Sequence, residues 1–124
     1  MASILVVDDD ASVRALLRDL LECEGHEVRL AADGFAALRA VSAARPDCVV
    51  LDLMMPGMDG HDVLARLRAL DGGASLPVVM LTAAADDAHA WRAWSGGVDL
   101  FVGKPFDTEV LLRSLELLFA GAAR

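Results

Sequence analysis

Two periods of apolar spacing take turns along this chain. Five short runs, 3–7, 27–31, 48–52, 77–82 and 99–102, are dense in β-branched and other apolar residues and have the length of strands. Between them the apolar residues recur every three or four positions. In 11–23, Val13, Leu16, Leu17, Leu20 and Leu21 fall at i, i+3, i+4, i+7 and i+8, the stripe of an amphipathic helix, and Gly25 stops it. The stretch 34–44 repeats the pattern with Phe35, Leu38 and Val41 ahead of Pro46, and 59–70 does so with Val63, Leu64, Leu67 and Leu70 ahead of Gly72-Gly73. A fourth helix, 86–95, is rich in alanine and tryptophan and ends at Gly96-Gly97, and a fifth, 107–119, aligns Leu111, Leu115 and Leu118.

Five strict βα repeats predict a parallel sheet covered by helices on both faces. Strand polarity orders the sheet. The first, third and fourth runs are apolar without interruption, as strands buried on both faces must be. The second alternates as Glu27, Val28, Arg29, Leu30, and the fifth is short and opens on Asp99, both tolerable at an edge. The doubly wound arrangement with strands two and five outermost is 2-1-3-4-5, the flavodoxin-like order.

With 124 residues the chain fits one domain, 1–124, large enough to bury a core without disulfides or a structural metal. No apolar run approaches the ~20 residues that span a bilayer, and strand-like sequence begins at Ser3 with no cationic, apolar leader before it, so a cytoplasmic location is expected. Nineteen acidic against eleven basic residues give a net charge of −8, which repels nucleic acid and argues against direct DNA binding by this chain. Cys23 and Cys48 fall in regular elements and read as small buried hydrophobes of a reducing compartment. His26, His61 and His89 have no metal-ligand spacing and read as surface or structural residues.

Ligands of such sheets bind beyond the carboxyl ends of the strands, where the chain order reverses, here between strands one and three. Strand one ends in Asp8-Asp9-Asp10, strand three in Asp52 and strand four in Thr82, and Lys104-Pro105 follows strand five. Converging carboxylates repel, by about 3 kcal/mol for two unit charges ~5 Å apart at an effective dielectric near 20, so the cluster either takes up protons or recruits a cation. Hard oxygens in an open cage favour Mg²⁺. An aspartate beside such a cation can attack a phosphoryl group, with Lys104 and the Thr82 hydroxyl placed to meet its oxygens. Helix capping accounts for Asp10, and in part for Asp9, but not for Asp52, Thr82 and Lys104 together.

The blocks Ile4-Leu5-Val6-Val7-Asp8-Asp9-Asp10, Leu51-Asp52-Leu53-Met54-Met55-Pro56-Gly57-Met58-Asp59-Gly60, Val79-Met80-Leu81-Thr82-Ala83 and Lys104-Pro105-Phe106, in this order among five βα repeats, resemble the receiver domain of two-component response regulators over the whole chain. The resemblance implies that Asp52 is the phospho-acceptor and that Asp8, Asp9, Asp52 and the backbone carbonyl of Met54 hold Mg²⁺. It further implies that Thr82 and Lys104 contact the phosphoryl group, that Thr82 and Phe101 form the switch, and that Pro56, Gly57 and Gly60 shape the adjoining loop. The Lys104-Pro105 bond is expected to be cis. A sensor histidine kinase or His-phosphotransfer protein would be the donor, and a downstream effector or fused output domain the target. Such a chain catalyses only its own phosphorylation and dephosphorylation. The output face would comprise the fourth helix, fifth strand and fifth helix, with Trp91 and Trp94 near its centre if Ala88, Ala90 and Ala93 face the sheet. The alternative is that the indoles are core.

Two departures stand out. Gly103 occupies a position where the family more often has a β-former or threonine, so strand five is expected to end early. Leu100 replaces an acidic residue of the branch that dimerises through the fourth and fifth helices, although Asp99 and Arg113 remain for a phosphorylation-dependent homodimer. A haloacid-dehalogenase-type phosphatase would need a second aspartate where Met54 stands, and a flavodoxin would need a Ser/Thr/Gly-rich phosphate loop where three aspartates stand. A degenerate, non-phosphorylated receiver acting as a protein-binding module is the remaining alternative. The chain closes on Gly121-Ala122-Ala123-Arg124, which suits a stand-alone regulator or a receiver cut from a longer protein.

Overall fold

A computed structural model describes residues 2–122; Met1, Ala123 and Arg124 lie outside the described residues, and with them the end of the closing tetrapeptide. The elements run β1 (Ser3–Val7), α1 (Ala11–Cys23), β2 (Glu27–Ala31), α2 (Gly34–Ala43), β3 (Cys48–Leu51), α3 (Gly60–Ala69), a 3₁₀ turn (Gly73–Ser75), β4 (Val78–Thr82), α4 (Asp87–Ser95), β5 (Leu100–Gly103) and α5 (Thr108–Ala122). All strand pairs are parallel and the order is β2-β1-β3-β4-β5, the expected one.

The period of two along the strands divides the interior into two cores. Leu5, Val7, Val49, Leu51, Val78 and Met80 point to one face and meet Ala37 and Val41 of α2, Val63, Leu64 and Leu67 of α3 and Ala93 of α4. Ile4, Val6, Cys48, Val50, Val79 and Leu81 point to the other and meet Leu17 and Leu21 of α1 and Leu111 and Leu115 of α5. The helical stripes are narrower than their apolar spacing suggests: Leu17 and Leu21 are buried, but Leu16 is half exposed, as is Phe35 on α2.

Capping side chains set the helix starts. Asp10 accepts from the Ser12 and Val13 amides, Asp33 from Ala36, Asp59 from Asp62 and Asp86 from His89, each satisfying a donor that the first turn leaves free. Gly25, at φ +87°, closes α1 in the left-handed conformation that β-carbons resist. At the opposite rim from the candidate site, Arg68 donates to the carbonyls of Gly73, Leu76 and Gly97 and lies 3.3 Å from Asp99, tying the end of α3 to the turns before β4 and β5.

Several expectations need correction. Strand five does not end before Gly103. That residue pairs with Thr82, and its missing β-carbon lets the loop before α4 pack close, since a β-carbon there would lie 2.9 Å from that of Ala85. Cys23 is exposed, because it is the last residue of α1 and lies off the buried Leu17–Leu21 line; Cys48 is buried as expected. The alternative that the indoles are core fails. Trp91 is 74% and Trp94 51% exposed, while Ala93 is fully buried and Ala90 half-buried; Ala88 stays in solvent. Among the described residues, no helix is long and apolar enough to cross a membrane.

Candidate functional site

Strand pairing builds the site. β1 and β3 lie side by side in register Val7 to Leu51, so the residues just past them, Asp8 and Asp52, emerge together at the carboxyl rim. The Asp52 amide still donates to the Val7 carbonyl at 2.9 Å, which extends the pairing one residue beyond the strand. One oxygen from each of Asp8, Asp9 and Asp52 lies within 4.8 Å of the others. Asp8 and Asp52 are buried, whereas Asp9 is exposed, so the cluster opens to water on one side.

Thr82 closes β4 and is fully buried, with its hydroxyl oxygen accepting from the Ala84 amide at 3.1 Å. The Lys104 amide donates to the Thr82 carbonyl at 2.8 Å, and the Lys104-Pro105 bond is cis, as expected. The ammonium group reaches back across the rim to 2.8 Å from Asp8 Oδ2 and 3.8 Å from Asp52 Oδ1. Its nearer partner is therefore Asp8 and not Asp52. The other Asp8 oxygen accepts from the Asp10 amide at 2.9 Å.

Burial, and next the neighbouring Asp8 charge, push the Asp52 carboxyl above the ordinary 3.8. Lys104, the Met54 amide and the Thr82 hydroxyl pull the other way without overcoming them. A carboxylate held at such cost is poised to gain from a cation or an electrophile. Three converging carboxylates, one of them solvated, fit a hard divalent ion such as Mg²⁺ that keeps part of its water shell.

The β3–α3 loop frames the site with two glycines used differently. Gly57 sits at φ +84°, a true left-handed position. Gly60 is needed for space instead: a β-carbon there would lie 2.7 Å from both the Asp52 carbonyl oxygen and the Leu53 Cα. Met54 is exposed beside the site, and Phe101 is partly buried, paired with Met80 and packed against the core. Asp99, one of the two dimer candidates, is engaged within its own chain by Arg68 and by the Val78 amide at 2.8 Å. The sequence reading missed one pair altogether: His61 on α3 and His89 on α4 meet at 3.1 Å, although 28 positions apart.

Comparison with known proteins gives a consistent result. A family model described as the response regulator receiver domain matches residues 4–116. The DNA-binding response regulator MtrA of Mycobacterium leprae is 46% identical over 109 residues, which cover 88% of this chain and 47% of that protein. The response regulator MprA of Mycolicibacterium vanbaalenii is 44% identical over 115 residues, covering 93% and 49%. The chain thus spans about half the length of the curated relatives it matches. Among solved structures, chemotaxis protein CheY4 of Vibrio cholerae superposes with a TM-score of 0.89 at 34% identity, over 94% of this chain and 97% of that one.

Proposed function

The chain belongs to the response regulator receiver domain family of two-component systems, and from that premise we propose that Asp52 accepts a phosphoryl group from a histidine kinase or His-phosphotransfer protein in a Mg²⁺-dependent reaction. The observation that carries the reading is the convergence of Asp8, Asp9, Asp52 and Lys104 at the switch point between β1 and β3. An Asp52 oxygen forms the bond to phosphorus while the donor's phosphorus–nitrogen bond breaks and the imidazole leaves with that electron pair. Lys104, already 3.8 Å from Asp52, turns to one phosphoryl oxygen, and the Thr82 hydroxyl donates to a second. Asp8, Asp9, Asp52 and the Met54 carbonyl are the groups that would hold Mg²⁺, which when bound neutralises charge on the incoming phosphoryl group.

Drawing Thr82 toward the site leaves room into which Phe101 turns, and the α4–β5–α5 face with Trp91 and Trp94 carries the signal outward. Its recipient is a downstream effector or an output domain joined to the receiver, in the cytoplasm. The relative MtrA is named as DNA-binding; here, with a net charge of −8, we assign no DNA contact to the receiver itself. Incubation with acetyl phosphate and Mg²⁺ should add the mass of one phosphoryl group, and Asp52→Asn should abolish it. Equal labelling of that variant would overturn the assignment. Absence of labelling in the parent with every donor tried would leave the binding-module reading in its place.

A further inference from the structure

The His61–His89 contact joins the first turns of α3 and α4. The rings are nearly parallel, 19° apart in plane, and meet edge to edge, with centroids 5.4 Å apart and His61 Nε2 3.1 Å from His89 Nδ1. His61 is buried, and its other nitrogen, Nδ1, is shut from solvent with no hydrogen-bond partner among the described residues. His89 Nε2 faces outward, 3.9 Å from Asp86 Oδ2.

These surroundings choose the tautomers. Only one proton fits between the facing nitrogens. If His89 held it, His61 would carry its own proton on Nδ1, as a buried donor with no acceptor, and His89 Nε2 would turn a bare lone pair toward the Asp86 carboxylate. If His61 holds it, Nδ1 is left as a bare acceptor and the His89 Nε2–H points at Asp86, which is cheaper on both counts. In that arrangement the His89 Nδ1 lone pair is taken up by the shared hydrogen bond, and the only lone pair of the two rings left free is that of His61 Nδ1, sealed in the interior. A further proton therefore has no open site while the contact lasts.

We propose that His61 and His89 form a pH-sensitive clasp that holds the start of α4 against α3 near neutrality and lets it go on acidification. The charged groups around the pair are Asp59 and Asp62 at the start of α3 and Asp86 and Arg92 on the α4 side. Burial first and Arg92 next hold His61 below its ordinary 6.5, against the weaker pull of Asp59 and Asp62. A depressed histidine stabilises the closed form above its ordinary value and loses that contribution as pH falls through its folded value. The other ends of the two helices stay joined, because Arg68 grips the Gly97 carbonyl with a guanidinium that does not titrate. Acid thus frees the first turn of α4, next to the loop that follows Thr82, while the far end acts as the pivot.

The test uses the full chain with EDTA present, so that no metal bridges the two nitrogens. Imidazole resonances and tryptophan emission are followed from about pH 7.5 to 5, the range in which histidine changes charge. In the parent, the emission of Trp91 and Trp94 should shift with the same midpoint as His61, and that midpoint should rise toward 6.5 in His89→Ala. In the double variant His61→Gln with His89→Asn, an amide donor and acceptor replace the facing nitrogens and cannot titrate, so the emission should stay flat. The proposal fails if the double variant shows the parent's transition. It fails equally if the His61 midpoint ignores the loss of His89, or if parent emission is independent of pH. None of these readouts depends on Asp52 accepting a phosphoryl group, so the clasp and the phosphorylation reading stand or fall separately.

Discussion

Asp52→Asn should make the metal-free protein more stable, because it removes a charge the fold does not welcome. Asp8 and Asp9 each present an oxygen within 4.8 Å of Asp52, and Lys104 lies 3.8 Å away. At an effective dielectric near 20, the Asp8 repulsion is about 3.5 kcal/mol and the Lys104 attraction about 4.4 kcal/mol, with Asp9, being solvated, adding a screened fraction of a further ~3.5 kcal/mol. The charges alone come close to balance, and burial tips it, in keeping with a carboxyl held above its ordinary range chiefly by desolvation and then by Asp8. Asparagine has nearly the same shape and still accepts from the Met54 amide. The gain should be about 1–3 kcal/mol, and for a chain of 124 residues about 4 °C in Tm per kcal/mol, hence roughly 4–12 °C. The assay is thermal unfolding in EDTA, repeated at falling pH. A raised carboxyl pKa means the native state binds the extra proton first, so parent stability rises as pH drops through the folded value toward 3.8, and the advantage of asparagine should close over that window. Mg²⁺ should stabilise the parent and have much less effect on the variant. A variant no more stable than the parent in EDTA, or a gap that does not change with pH, would refute the reasoning.

Thiol reagent should titrate one cysteine in the native protein and two after unfolding, since Cys23 is exposed while burial pushes the Cys48 thiol up to about 12. Gly60→Ala should cost about 1–3 kcal/mol in urea unfolding, because its β-carbon would press on backbone atoms of Asp52 and Leu53 rather than on a side chain that could swing away. Arg68→Ala should cost roughly 2 kcal/mol by leaving the carbonyls of Gly73, Leu76 and Gly97 without their common donor, measured by the same unfolding midpoint. Collisional quenching should reach both indoles, and Trp91 more strongly than Trp94, in keeping with exposures of 74% and 51%.

What could be read from the sequence was whatever depends on the chain's own period or on strand ends. Uninterrupted apolar runs in β1, β3 and β4 dictate burial on both faces, and with the more polar β2 and β5 at the edges the doubly wound rule orders the sheet. Once the order is known, every residue immediately past a strand is delivered to the same rim, so Asp8, Asp52, Thr82 and Lys104 had to converge before any coordinate was known. Relations set by the placement of one helix against another have no such rule. Which of two nearby carboxylates Lys104 prefers depends on how the turn at Pro105 aims a long side chain, and it chose Asp8. The stripe on α1 has five apolar positions, yet only Leu17 and Leu21 are sealed, while Val13 and Leu20 are half-buried and Leu16 is exposed. Gly103 illustrates the converse error. A glycine reads as a strand breaker when only the propensity of its own backbone is weighed, but here the neighbouring loop needs the space, and the ladder to Thr82 keeps the residue in the strand. The histidine pair was hidden for the same reason. Two residues 28 positions apart on separate helices become partners only when the helices settle on the sheet, and a search by ligand spacing along the chain cannot see a contact that packing alone creates.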